Sequence, residues 1–123
     1  MKHVRVLALD PDLAAAYCAR LFAGAGAHVV IVEPSRGSAL RTAEPTLVDV
    51  NGNVRGALWE HLAAGSQSIV IDDDAHLDTL FRWADVVVST CDGDADAAMR
   101  LRERVRRADP STVHVVTSGF GLT

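Results

Sequence analysis

Short β-branched runs alternate with segments of helical period along nearly the whole chain, and this alternation restricts the fold more than any other feature. Val4–Leu9 (VRVLAL), His28–Val32, Ser68–Ile71, Asp85–Ser89 (DVVVS) and Val113–Thr117 read as strands. They are nearly continuous apolar stretches, as expected for strands buried on both faces of a parallel sheet. Helical segments lie between them. Asp12 can cap a helix over Leu13–Ala25, in which Leu13, Tyr17 and Leu21 recur at i, i+4 and i+8 beside Cys18 and Phe22, the spacing of an apolar face; Gly24 and Gly26 end it. Arg55–Ala64 reads as a second helix ending at Gly65. Ala75–Trp83 reads as a third, with Leu77, Leu80, Phe81 and Ala84 on one side. Ala95–Ala108 reads as a fourth, with a stripe of Ala98, Leu101, Val105 and Ala108. Glu33–Ser38 is a loop, and the stretch from there to Asn53 has no clear period.

Strands separated by helices call for right-handed crossovers and a parallel sheet. The expected architecture is α/β: a Rossmann-like, doubly wound parallel sheet of about five strands in the order 3-2-1-4-5. With 123 residues, the chain is expected to form one such domain over residues 1–123. Ligands of these sheets sit at the carboxyl ends of the strands, near the switch point between the first and fourth. The candidate loops are therefore Asp10–Ala14, Glu33–Arg41, Ser89–Gly93 and Ser118–Thr123.

Composition narrows the function. Apolar residues make up 49% and the net charge is −4, which supports a packed core and argues against nucleic acid as a partner. Eleven of the twelve basic residues are arginine, a bias from which no chemistry follows. No apolar run approaches the roughly 18–20 residues of a spanning helix, and no signal-peptide pattern opens the chain. Cys18 and Cys91 have neither metal nor redox spacing. The expectation is a cytoplasmic protein with free thiols and no membrane contact.

The first loop, Asp10-Pro11-Asp12-Leu13-Ala14-Ala15, has none of the glycines of a dinucleotide fingerprint, and its two carboxylates oppose a pyrophosphate. No Walker-type sequence occurs. A phosphorylation receiver would need a lysine after the fifth strand, and the sole lysine is Lys2. His3, His28, His61, His76 and His114 are scattered without metal-ligand spacing, so no metal site is expected. No serine has a nucleophile-elbow sequence. Arg100, Arg102, Arg104, Arg106 and Arg107 lie off the apolar stripe of their helix and read as a solvated face. Spacing alone thus gives a ligand-binding fold without a named reaction and no catalytic residue.

The order of motifs goes further. Leu13-Ala14-Ala15-Ala16-Tyr17-Cys18-Ala19 runs on through Gly26-Ala27-His28-Val29 to Val32-Glu33-Pro34, followed by Gly37-Ser38-Ala39-Leu40-Arg41. Later come Leu62-Ala63-Ala64-Gly65-Ser66-Gln67-Ser68-Ile69, then Ala84-Asp85-Val86-Val87-Val88, then Ser118-Gly119-Phe120-Gly121-Leu122-Thr123. This succession resembles the N-terminal part of the family III CoA-transferases, the carnitine-dehydratase/bile-acid-inducible (CaiB/BaiF) group. It covers nearly the whole chain.

The resemblance implies transfer of CoA between an acyl-CoA and a carboxylate, through anhydride and thioester intermediates on one Asp. In the family that Asp lies a dozen or more residues beyond the Ser118–Thr123 segment, so this chain alone is expected to be inactive. The resemblance also implies backbone contacts to CoA from Leu13 and Ala14, and a phosphate or adenine contact from Arg41. Family glycine-proline is replaced here by Ala15-Ala16, the basic pair by Ser66-Gln67, and an arginine by Asp92. Coenzyme A or an acyl-CoA is therefore expected as a weak ligand at most, with Arg36 or Arg100 as substitute contacts. A second reading is a non-catalytic protein–protein association domain derived from that family, as a homo-oligomer or with another CoA-transferase-like chain.

Overall fold

The computed structural model describes residues 1–122. Five parallel strands form the central sheet: β1 (Arg5–Leu9), β2 (His28–Glu33), β5 (Gln67–Val70), β6 (Val86–Thr90) and β7 (Val113–Thr117). Their order is β5-β2-β1-β6-β7, which is the order expected from sequence. The first strand lies between the second and the fourth of these, with Val6 opposite both Val29 and Val86. Four helices connect them: α1 (Leu13–Gly24), α2 (Ala57–Leu62), α3 (Asp74–Trp83) and α4 (Ala95–Ala108). No helix among the described residues is long and apolar enough to cross a membrane.

The pleat divides the core in two. Val6, Ala8, Val29, Ile31 and Val88 meet Ala15 and Ala19 of α1 and Trp59 of α2 on one face. Leu7, Val30 and Val87 meet Phe81 of α3 and Val105 of α4 on the other. Both faces of β1 are therefore dry, which is why its sequence does not alternate.

Three expectations need correction. First, α1 does not bury Leu13, Tyr17 and Leu21, which stay 53%, 54% and 58% exposed. It docks instead through Ala15, Ala16 and Ala19. Two stripes of this helix have the same spacing, and the alanine stripe wins because small side chains let the helix axis approach the sheet closely.

Second, Arg55 does not open a helix. Residues 46–56 form a hairpin of β3 (Thr46–Val48) and β4 (Val54–Gly56), and α2 starts after it. Asp49 pairs with Asn53 across the turn, its Oδ1 accepts the Asn51 and Asn53 N–H groups, and Gly52 takes φ 81°. This is a three-residue hairpin loop with glycine in the left-handed position.

Third, Arg104 is not on a solvated face. Its Nε donates to Asp78 at 2.7 Å, its Nη2 donates to the Asp74 carbonyl at 2.8 Å, and its guanidinium lies 5.5 Å from the Phe81 ring centre. It clamps α4 onto α3. Denaturant unfolding should show Phe81→Ala costing about 3–5 kcal/mol and Arg104→Ala about 1–2 kcal/mol. Arg107→Ala should cost under about 0.5 kcal/mol. Equal effects of the two arginine variants would remove the clamp.

Candidate functional site at the carboxyl ends of the strands

At the carboxyl end of β1 the chain turns sharply. Asp10 has φ 35°, and its N–H donates to the Val32 carbonyl of the neighbouring strand at 2.8 Å. Asp12 then caps α1, as expected, accepting the Ala15 N–H at 2.9 Å. The Asp12 N–H donates to Thr90 Oγ1 at 3.2 Å, and Thr117 Oγ1 lies 3.4 Å from the Asp12 carboxylate. The first loop is thus tied to the ends of β6 and β7. Leu13 and Ala14 follow the cap, both exposed. Their N–H groups, at the start of the helix, have no intrahelical acceptor.

The mouth beside them is acidic. Asp10 is held above the usual carboxylate range chiefly by burial, with Arg36 opposing and Asp92 and Glu33 adding to the rise. Among the described residues Asp10 makes one ion pair, to Arg36, and it is loose at 3.7 Å. Cys91 and Cys18 are free thiols, and burial pushes the Cys18 thiol up. Among the described residues no group of three His, Cys, Asp or Glu could hold a metal.

The order of this region comes from Glu33, the last residue of β2, which is only 3% exposed. Its Oε2 accepts from Arg41 Nε at 2.7 Å and from the Ser38 N–H at 2.7 Å. Its Oε1 accepts from Arg41 Nη2 at 2.7 Å and from the Ser68 hydroxyl. The Arg41 bond is the main reason the carboxyl is lowered to about 2, followed by those from Ser68 and Ser38, against the burial that would raise it.

Arg41 ends a 3₁₀ turn (Ala39–Arg41) whose N-cap, Ser38, accepts the Leu40 N–H. Its guanidinium stacks on Trp59 at 4.3 Å. Gly56 lets this turn approach, since a Cβ there would collide with the Leu40 and Arg41 carbonyl oxygens. Arg41 also lines a cleft of about 400 Å³ with Asn53, Arg55, Trp59 and Glu60.

Leu13, Ala14 and Arg41 therefore all lie at the carboxyl edge of the sheet. Ser66 and Gln67 do not. Gln67 opens β5, and its side chain bonds His28 at the other end of β2 at 3.0 Å. Arg55 and Asn53 reach the Arg41 cleft only because of the hairpin, and the signal for it was Asn51-Gly52 between apolar runs.

The model of the family described as CoA-transferase family III matches residues 1–123, and the chain belongs to that family. Two curated relatives are similar to it, the succinyl-CoA:mesaconate CoA-transferases of Haloarcula hispanica and Haloarcula marismortui. Each is 31% identical over 98% of this chain, which spans 32% of their length. Among solved structures, a CaiB/BaiF family protein from Brucella suis superposes with TM-score 0.83 at 24% identity, covering 99% of this chain and 34% of that one. Rv3272 from Mycobacterium tuberculosis superposes with TM-score 0.82 at 20% identity, covering 100% of this chain and 35% of that one. These two share the fold.

The Glu33 carboxyl titrates lower in the folded chain than in the unfolded one. Its contribution to stability is therefore complete above about pH 4.5 and is lost as pH falls toward about 2. Glu33→Gln should lower the unfolding free energy at pH 7 by about 3 kcal/mol and flatten its pH dependence between those limits. An unchanged acid limb in this variant would show that Glu33 does not anchor the region.

Proposed function

We propose that this chain is the CoA-holding N-terminal part of a family III acyl-CoA:carboxylate CoA-transferase. The observation that carries the reading is Arg41, fixed at the carboxyl edge by a buried carboxylate in a chain that the family matches from end to end. A guanidinium has five N–H donors. Glu33 takes two of Arg41's, through Nε and Nη2. The remaining donors serve a phosphate oxygen, and the guanidinium face away from Trp59 serves an adenine ring. The exposed N–H groups of Leu13 and Ala14, at the positive end of the α1 dipole, supply the second contact.

Pre-pairing with Glu33 has two opposed effects. It removes the entropy cost of ordering a long side chain on binding, and it neutralises much of the charge that would attract phosphate. Asp10 and Asp92 add repulsion. The result is a formed site of low affinity. Transfer itself needs a carboxylate that attacks the thioester carbonyl, expels the CoA thiolate and holds the acyl group as an anhydride. In this reading the residues described here supply grip on CoA, and the covalent step belongs to the nucleophilic Asp that the family resemblance puts beyond the Ser118–Thr123 segment. The relatives named for succinyl-CoA and mesaconate make small dicarboxylates the first acceptors to try in a longer form.

Calorimetry with CoA should give a dissociation constant on the order of 0.1–1 mM, at least tenfold weaker for Arg41→Ala, and unchanged for Arg107→Ala. The isolated chain should show no turnover with succinyl-CoA and a panel of carboxylates. Binding indifferent to Arg41→Ala would place CoA elsewhere. Turnover surviving repurification would mean that the chain has its own nucleophile.

A further inference from the structure

The opposite edge of the sheet holds a group of side chains that the CoA reading does not use. Ser89, on β6, is buried, and its Oγ lies 2.8 Å from Nε2 of His114 on β7. Which of the two donates is set by the ring tautomer. The other ring nitrogen, Nδ1, is buried and has no partner among the described residues, a polar atom that is costly to leave unpaired. Burial, with Arg102 close by, pushes the imidazole below its ordinary value, so the ring is neutral at pH 7.

His114 lines a cleft of about 510 Å³ between α4 and β7, together with Arg102, Arg106, Thr112, Ser118 and Leu122. Arg102 and Arg106, one helical turn apart, share a face of α4. Neither has a carboxylate partner among the described residues, whereas Arg104 between them has two. Ser118 Oγ accepts the Gly121 N–H at 2.8 Å, which leaves its hydroxyl proton to donate. The lining contains no acid, in a chain whose net charge is −4. Two arginines, a hydroxyl donor and an imidazole thus line one cleft with no acid among its lining residues.

We propose that this cleft is an oxyanion site, in which Arg102 and Arg106 hold a carboxylate or phosphate group over His114, with Ser118 donating from the rim. It is separated from Glu33 and Arg41 by β1 and β6 and does not depend on CoA binding.

The test is an NMR titration of the 123-residue chain, following the His114 ring protons at fixed ionic strength. Sodium succinate and sodium phosphate are added in separate arms, with chloride as the control. The expected result is a saturable shift at millimolar concentration with at least one oxyanion, and the tighter arm identifies a carboxylate or phosphate source. Arg102→Ala and Arg106→Ala should each weaken it by about tenfold. Arg107→Ala should leave it unchanged. Both cleft arginines are exposed, so their variants should keep the fold, which the remaining resonances report. Shifts that are linear in concentration, equal to those from chloride, or unaltered in the Arg102→Ala/Arg106→Ala double variant would overturn the site.

Discussion

Burying an ionised carboxylate is expensive unless donors surround it, and Glu33 meets that condition with four of them. Two come from Arg41, one from the Ser38 backbone and one from the Ser68 hydroxyl. These partners lie on three separate pieces of chain: the loop after β2, the 3₁₀ turn and β5. One side chain therefore ties the edge strand to the sheet and folds the loop back over it. Trp59 and Gly56 become constrained in turn, because the guanidinium stacks on the first and the turn carrying it presses on the second. Replacing one partner would strand the rest, so the cluster behaves as a unit.

That dependence holds the loop after β2 in place whatever charges surround it at the carboxyl edge of the sheet. Arg41 has a structural duty to Glu33 that holds whether or not a ligand binds. Among the described residues Asp92, in the loop after β6, has no comparable ion pair or hydrogen bond. Ser66 and Gln67 belong to neither group, since Gln67 engages His28 at the amino ends of β5 and β2. The balance of charge at the carboxyl edge is thus set by Asp10, Asp12 and Asp92 against Arg36 and Arg41.

Strand order was legible from sequence because each strand is a nearly continuous apolar run, and right-handed crossovers leave few ways to arrange five of them. The orientation of α1 was not legible. Leu13, Tyr17 and Leu21 repeat with the same period as Ala15 and Ala19, and period cannot say which stripe a sheet will accept. The hairpin was missed although Asn51-Gly52 marked it, because its strands are only three residues long. Arg104 looked like its neighbours on the helix until α3 was in place to offer Asp78 and Asp74. Arg41 was singled out only through resemblance, and its pairing with Glu33 was not reached from sequence. Those two residues are separated by a loop whose path the sequence does not specify.

The central claim is that the Glu33–Arg41 cluster and the start of α1 together present one ligand edge. Chemical-shift mapping of the backbone amides and the Arg41 Nε–H during addition of CoA tests it directly. The account predicts perturbations at Leu13, Ala14 and Arg41, with the Arg41 Nε–H retaining its hydrogen-bonded shift because Glu33 keeps it. Perturbations confined to the β7 edge around His114, with Arg41 unmoved, would contradict it.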